Sequence, residues 1–297
     1  MTGINAFSSR QRTISLAETI ARQRAELDRT SKELSTGLKY DVYAERSFAP
    51  AKATEFRARL DVNEAYITTN RVLAQKLNTT DDLISAIRDE ADEFSKFLLL
   101  SDEASGDKQS LKDQAANVLR TIIEKLNTSY GGEFLFSGAA IATKPITLDA
   151  GLNAVYNGDT GAQLSAQIDE TSSMPYGIRA DAGPFTDLLA SLTAMATADY
   201  DVMPDYATFR QDMIVALGNA ATGMIEIQTE LGNRMAALDR KINQQESRAK
   251  IMNHTVVEIE GVDMEETALR VNSMEVQLQS TFEVTARLSQ LNFLNYI

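Results

Sequence analysis

Residues 217–259 read LGNAATGMIEIQTELGNRMAALDRKINQQESRAKIMNHTVVEI, and one spacing runs through them. Leu217, Met224, Leu231, Leu238, Gln245, Met252 and Ile259 stand at seven-residue steps, with Ile242, Ala249 and Val256 as a parallel set of rungs. A repeat of seven sustained this long keeps one apolar edge of a helix turned toward a partner, the pattern of helices packed lengthwise. Upstream, Leu77, Ile84, Ala91 and Leu98 repeat the step, with Ile87 and Phe94 three residues into the intervals. The five prolines (50, 145, 175, 184 and 204) leave 51–144 and the chain after 204 free of proline. Proline costs about 3 kcal/mol inside a helix, so both stretches permit uninterrupted helix. At the helical rise, 51–103 and 206–260 would each run roughly 80 Å, and the matched lengths predict an antiparallel pair. A break at SDEASGDK (101–108), with Gly106 and a cap at Asp107, lets 109–130 double back as a third helix carrying Leu111, Val118 and Ile122. The expected class is mainly α: an elongated antiparallel coiled-coil helical rod with a small β-rich insert.

The insert announces itself by punctuation. Eight of the fifteen glycines fall between 131 and 183. In YGGEFLFSG (130–138) the paired glycines are read as ending the third helix, with Phe134–Phe136 starting a short strand packed on the rod's end. ITLDAGLNAVYNGDTGAQLSAQID alternates apolar and polar residues around Asp149–Gly151 and Asn157–Gly158, which reads as β-hairpins. Pro184 and Phe185 then lead into a short helix. The segment is acidic, with nine Asp and Glu from 149 to 205 against Lys144 and Arg179.

The two ends form a second pair. Leu16, Ile20, Leu27, Leu34 and Leu38 make a narrow apolar stripe, and Met264, Val271, Met274, Leu278, Phe282, Leu288, Leu291 and Phe293 make another. Thr267, Thr281 and Thr285 fill rungs of the second. Residues 1–40 carry seven Lys and Arg against four acids, and residues 262–297 carry two against five, so opposite charge favours their pairing. A two-helix hairpin cannot bury all of such faces. What stays exposed marks a surface awaiting a partner, and isolated helices are marginal in water, so the ends are expected to order only against neighbours. The division expected is 1–40 with 262–297 as a terminal coiled-coil domain disordered in the monomer, 41–138 with 205–261 as helical rod, and 139–204 as outer insert.

Composition removes most chemistries. A net charge of −13 repels phosphate backbones, which argues against nucleic acid as partner. There is no cysteine, and His254 is the single histidine, so thiol chemistry and histidine-based triads or metal sites are excluded. The acids Glu258, Glu260, Asp263, Glu265 and Glu266 lack the looped spacing a calcium site needs and read as a solvated face or helix start near Gly261. Asp81 and Asp82, adjacent on a helix, point apart and make a poor catalytic pair. No catalytic, cofactor-binding or metal residue is expected. No apolar run is long enough for membrane insertion. The opening MTGINAFSSRQRTIS has no apolar core or cleavage site, so a cleaved secretory signal is not expected.

Several of these segments carry a resemblance. LDRTSKELSTGLKYDV (27–42) resembles the N-terminal signature of the flagellin superfamily, in which a helix ends in Leu-Ser-Thr/Ser-Gly before a basic residue. GEFLFSG (132–138), VYNGDTGAQLSAQID with GIRADAGPFTDLL (within 155–189) and the final LSQLNFLNYI are similar to segments of its hook-associated members at the hook–filament junction. TELGNRMAALDRKINQQE (229–246) and VVEIEGVDMEETALRV (256–271) resemble the superfamily's Gly-x-Arg helix and the start of its terminal domain. The resemblance implies a non-enzymatic axial protein of the bacterial flagellum, exported unfolded through the flagellar type III apparatus to the cell exterior. It further implies self-association in a ring, contact with a neighbouring hook-associated protein and with flagellin, and a cytoplasmic export chaperone on the C-terminal helix. Filament flagellin is the alternative within the superfamily, and a cytosolic coiled-coil scaffold the alternative outside it.

Overall fold

A computed structural model describes residues 2–39, 48–101, 108–161 and 163–294, without the side chains of 2–10, 12, 13, 48–50 and 288–294. Among the described residues six helices and six short strands follow in the order α1 (Thr2–Thr36), α2 (Phe48–Leu100), α3 (Lys108–Leu126), β1 (Ser129–Tyr130), β2 (Glu133–Phe134), β3 (Ile146–Leu148), β4 (Ala154–Tyr156), β5 (Ser165–Gln167), β6 (Ser173–Pro175), α4 (Gly183–Thr197), α5 (Tyr206–Glu260) and α6 (Met264–Leu294). The chain is thus mainly α with small antiparallel strand pairs. The break expected at Gly106 and Asp107 lies outside the described residues. Two compact units divide the chain, residues 63–247 and residues 1–62 with 248–297.

Within 63–247, α2 and α5 run antiparallel: Asn63 donates to the Gln245 carbonyl at 2.8 Å, Arg88 to Gln228 at 2.8 Å, and Arg210 to the Ser101 carbonyl. Rising numbers on one helix meet falling numbers on the other. The seven-step rungs Leu77, Ile84, Ala91 and Leu98 on α2 and Leu217, Met224, Leu231 and Leu238 on α5 are all buried, together with Ile87 and Phe94. Burying each large side chain of this kind contributes about 1.5–3 kcal/mol. Next to them α3 packs on α4. The buried face of α3 is Leu111, Ala115, Val118, Leu119, Ile122, Ile123 and Leu126, and that of α4 includes Phe185, Leu188, Leu189, Leu192 and Met195. Pro184 sits in the first turn of α4, where its missing N–H leaves no helical bond unmade.

The glycine pair does not end α3. The helix stops at Leu126, and the side chain of Asn127 then bonds both backbone groups of Ile146, accepting from its N–H at 2.8 Å and donating to its carbonyl at 2.9 Å. Gly131 and Gly132, both at positive φ, instead form the two-residue turn of the β1–β2 hairpin. Two consecutive residues at positive φ make the turn whose twist matches a hairpin, which is why glycine fills both places. Nor does the hairpin sit at an end of α2. Glu133 pairs with Lys76 and Tyr130 donates to Gln75 at 2.8 Å, so it lies against the middle of that helix.

Of the two expected hairpin turns, Asp149–Gly151 is one: β3 and β4 pair across it, and Asp149 Oδ1 accepts from the N–H groups of Gly151 and Asn153 at 2.8 and 2.9 Å. Asn157–Gly158 is not. There the chain turns to meet residues 137–138, with Asp159 N–H donating to the Ser137 carbonyl at 2.9 Å. The second hairpin, β5–β6, turns at Asp169 instead. The meeting is too close for side chains: a Cβ on Gly138 would lie 2.5 Å from the Asp159 carbonyl oxygen, and one on Gly158 2.5 Å from that of Ser137. Phe136, fully buried, sets its ring edge-on to Phe185 at 5.9 Å, and its carbonyl accepts from Ala180 N–H at 2.9 Å. The stretch 130–138 therefore ties three segments of the insert to α4.

In the other unit α1 and α6 pack together. α1 ends on Gly37, which takes positive φ and donates to the Glu33 carbonyl at 2.8 Å. Leu38 then forms an antiparallel bridge with Gly261, at the end of α5. Lys39 caps α5, its ammonium 2.9 Å from the Ile259 carbonyl and 3.3 Å from that of Glu258, where a cation suits the negative end of the helix. Asp263 caps α6, accepting from the N–H groups of Glu265 and Glu266 at 2.9 and 3.1 Å. The acidic run is therefore only partly a solvated face: Asp263 starts a helix, and Glu260 is buried and paired with Arg57 on α2.

Candidate assembly surface

α1 and α6 are antiparallel. Gly37 bonds Val262 through backbone at 3.0 Å, Thr30 Oγ1 lies 3.7 Å from Met274 Sδ, and Arg24 lies over the Phe282 ring at 5.0 Å. The seam between them is built at three- and four-residue steps. From α1 it takes Leu16, Ile20, Leu27 and Leu34, all half-buried, and Thr30, buried. From α6 it takes Val271, Met274, Leu278, Thr281 and Thr285, half-buried, and Thr267, buried. The threonine hydroxyls are satisfied by their own helices, Thr30 on the Glu26 carbonyl at 2.9 Å and Thr267 on that of Asp263 at 2.6 Å, so their methyl groups can face the seam. Thr30 was hidden in the sequence because threonine is neutral in any apolar count.

Three of the expected stripe residues lie at the seam's margin and stay exposed: Leu38, Met264 and Phe282. The side chains of Leu288, Leu291 and Phe293 lie outside the described residues. A further set faces away altogether. Leu269 and Val276, one heptad apart and 70% and 64% exposed, follow seam positions by two residues, about 200° round the helix. Ile14 on α1 and Val284 on α6 are exposed as well. A cleft of about 430 Å³ beside the seam is lined by Arg22, Arg29 and Arg270 together with Glu26 and Glu33. The arrangement is a two-helix ribbon, apolar on its inner seam and carrying large apolar side chains on its outer side. It offers contact area and charge, not a reacting group.

The remaining candidates have structural places. His254 is exposed, its Nδ1 3.7 Å from Glu258. Asp81 accepts from Gln228 at 3.1 Å and Asp82 is exposed. Among the described residues no three His, Asp or Glu side chains converge on one point, and no helix is long and apolar enough to cross a membrane.

Two family models match the chain. The bacterial flagellin N-terminal helical region matches residues 7–140, and the bacterial flagellin C-terminal helical region matches residues 214–297. Among solved structures, a Vibrio parahaemolyticus protein described as flagellar hook-associated is similar with a TM-score of 0.62 at 14% identity, over 72% of this chain and 99% of its own. The flagellar junction protein FlgL of Legionella pneumophila is similar with a TM-score of 0.54 at 11% identity, over 70% and 99%. FlgL of Bacillus cereus is similar with a TM-score of 0.51 at 14% identity, over 64% and 98%. No curated protein sequence matches the chain.

Proposed function

The chain belongs to the bacterial flagellin family, and from that membership we propose that it is a structural axial protein of the flagellum which joins hook to filament. The observation that carries the proposal is the ribbon of α1 and α6. Its seam covers one face of each helix and leaves Leu269 and Val276 in water, which favours further helices packing around it. Leu16, Ile20, Leu27, Leu34, Leu38, Met264, Val271, Met274, Leu278, Phe282, Leu288, Leu291 and Phe293 are the residues assigned to assembly. In this reading the terminal regions are unstructured in the monomer and become helical against copies and relatives. The copies form a ring, with a hook-associated neighbour on one side and flagellin on the other. Before export through the flagellar type III apparatus, a cytoplasmic chaperone covers the C-terminal helix. The role is mechanical, and no catalysis is assigned.

The junction is preferred to the filament because the chain's fold spans 99% of the Vibrio protein described as hook-associated and 99% of the Legionella junction protein. Filament flagellin remains the second reading, since the two family models are named for flagellin itself. Deleting the gene separates them. Loss of a junction protein is expected to abolish filaments while flagellin monomers appear in the medium. Normal filaments in the deletion strain would remove the junction role.

A further inference from the structure

A two-stranded hairpin bonds one edge of each strand and leaves the other free. In β3–β4 the bonded positions are fixed by Asn157 N–H to the Pro145 carbonyl and Asp149 N–H to the Asn153 carbonyl, at 2.8 and 3.1 Å. Counting by two along the strands, Ile146 and Leu148 on β3 and Ala154 and Tyr156 on β4 turn their backbone groups outward. Ile146 is taken by the side chain of Asn127. The outward groups of Ala154 and Tyr156 have no partner among the described residues. In β5–β6 the same argument runs from Tyr176 N–H to the Leu164 carbonyl and Ile168 N–H to the Ser172 carbonyl, both at 2.9 Å. Ser165 and Gln167 on β5 and Ser173 and Pro175 on β6 face outward. Pro175 has no N–H, so the β6 edge is blunted. Ser165 and Gln167 are exposed, and their outward backbone groups have no partner among the described residues.

Among the described residues β3 is covered at one outward position of two and β6 lacks one N–H of two, whereas β4 and β5 are open at both, and these two edges match chemically. Beside β4 runs a cleft of about 420 Å³ walled by Ala154, Tyr156 and, from α4, Leu189, Ala190, Thr193 and Thr197, with no charged residue in its lining. A strand carrying charge would leave that charge unpaired in the cleft. An uncharged strand with small side chains is what it accommodates, and β5 is Ser165-Ala166-Gln167, preceded by Leu164. We propose that the β4 edge of one copy takes the β5 edge of the next, extending the β3–β4 hairpin by one strand. The proposal rests on the reading that copies assemble in a ring. The contact is heterologous, since it pairs two different edges, so it passes from copy to copy and closes only when the ring does. Backbone hydrogen bonds supply the attraction and the uncharged cleft the selection.

The chain has no cysteine, which makes the test direct. Ala154→Cys and Gln167→Cys are produced as single variants and together in one strain, and isolated flagella are oxidised and run on a denaturing gel without reductant. The expected result is a two-copy band when both variants are present and none with either alone. A band from Ala154→Cys alone would mean that two β4 edges pair about a twofold axis, and would overturn the proposal. So would flagella that hold both variants yet give no band. If the unsubstituted protein is itself missing from isolated flagella, the axial reading fails and takes this inference with it, a result distinct from an assembled ring without cross-links. As a second arm, Ser165→Pro removes one outward N–H. It is expected to leave the circular dichroism of the monomer unchanged and to lower incorporation about tenfold.

Discussion

Asn70 and Gln245 face each other inside the α2–α5 pair, fully buried, and both donate to one carbonyl, that of Ile168, at 2.9 Å. Asn70 also donates to Gln245 Oε1 at 2.9 Å. Gln245 is the one polar rung of the seven-step ladder, and the contact explains why. A polar residue at such a position fixes helix register, and here it also holds the β5–β6 hairpin on the helices, since Ile168 directly follows β5. Replacing Asn70 by Leu leaves Gln245 Oε1 without its donor, at an expected loss of about 1–3 kcal/mol in thermal unfolding. The double variant Asn70→Leu with Gln245→Leu is expected to recover little of this, because the Ile168 carbonyl is then buried with no donor at all. A double variant as stable as the original would show that the amides do not anchor the hairpin.

The same hairpin carries an acid-sensitive tie. The Lys241 ammonium bonded to Asp169, followed by the Thr171 N–H at 2.7 Å, holds the Asp169 carboxyl well below the usual carboxylate range. A group depressed in the folded state contributes stability that is present above its unfolded value, about 3.9, and is lost as pH falls toward the folded value. Unfolding of residues 63–247 is therefore expected to become easier below about pH 4 and not between pH 5 and 8. Asp169→Asn is expected to flatten the acid limb of melting temperature against pH. An unchanged limb in that variant would remove Asp169 from the account.

Much of this was legible and some was not, and the difference lies in where each partner sits. The rungs Leu77 to Leu98 and Leu217 to Leu238 were readable because a helix repeats its own face, so the signal is contained in one segment. The paired glycines 131 and 132 were readable as a stop but not as a hairpin turn, since positive φ serves both uses and only the place where α3 ends decides. Glu260 looked solvated among its acidic neighbours because its cation, Arg57, is on another helix. Asn127 gave no sign at all: its partner, Ile146, is a backbone group, which no side-chain pattern records.

At Gly158 the limit is space. A Cβ there would stand 2.3 Å from the Tyr156 hydroxyl and 2.5 Å from the Ser137 carbonyl oxygen. The tyrosine could swing aside, but the carbonyl belongs to backbone pinned by the Asp159 N–H. Gly158→Ala is expected to destabilise the insert by about 1–3 kcal/mol, the usual range for a forced local distortion. Amide exchange in 133–138 should quicken with it. A variant as stable as the original, with those amides still protected, would mean that the two loops part without cost.

Leu278 occupies a half-buried place on the α1–α6 seam. Leu278→Asp puts a carboxylate into the apolar seam. Thermal unfolding of residues 63–247 is expected to be unaffected, because Leu278 belongs to the other unit. Incorporation into flagella is expected to fall by at least tenfold, with swimming lost. Normal motility in this variant would sink the claim that the seam is needed for assembly.

Protease sensitivity tests the seam from the other side. Among the described residues of the seam only Thr30 and Thr267 are buried, and the apolar rungs around them are half-covered, so the two helices hold each other far more weakly than α2 holds α5. Helices of this kind are marginal without further neighbours. Brief opening would present Arg22, Arg24 and Arg29 on α1 and Arg270 on α6 to trypsin, while cutting inside 63–247 requires unfolding of the buried rungs. Limited digestion of the monomer at these sites is expected to remove about thirty residues from each end and to leave a fragment containing 63–247. In assembled flagella the same sites are expected to resist. Cleavage of the monomer at equal rates inside and outside 63–247 would mean that the two terminal helices are as firmly held alone as the centre of the chain, and that neighbours add nothing to their order.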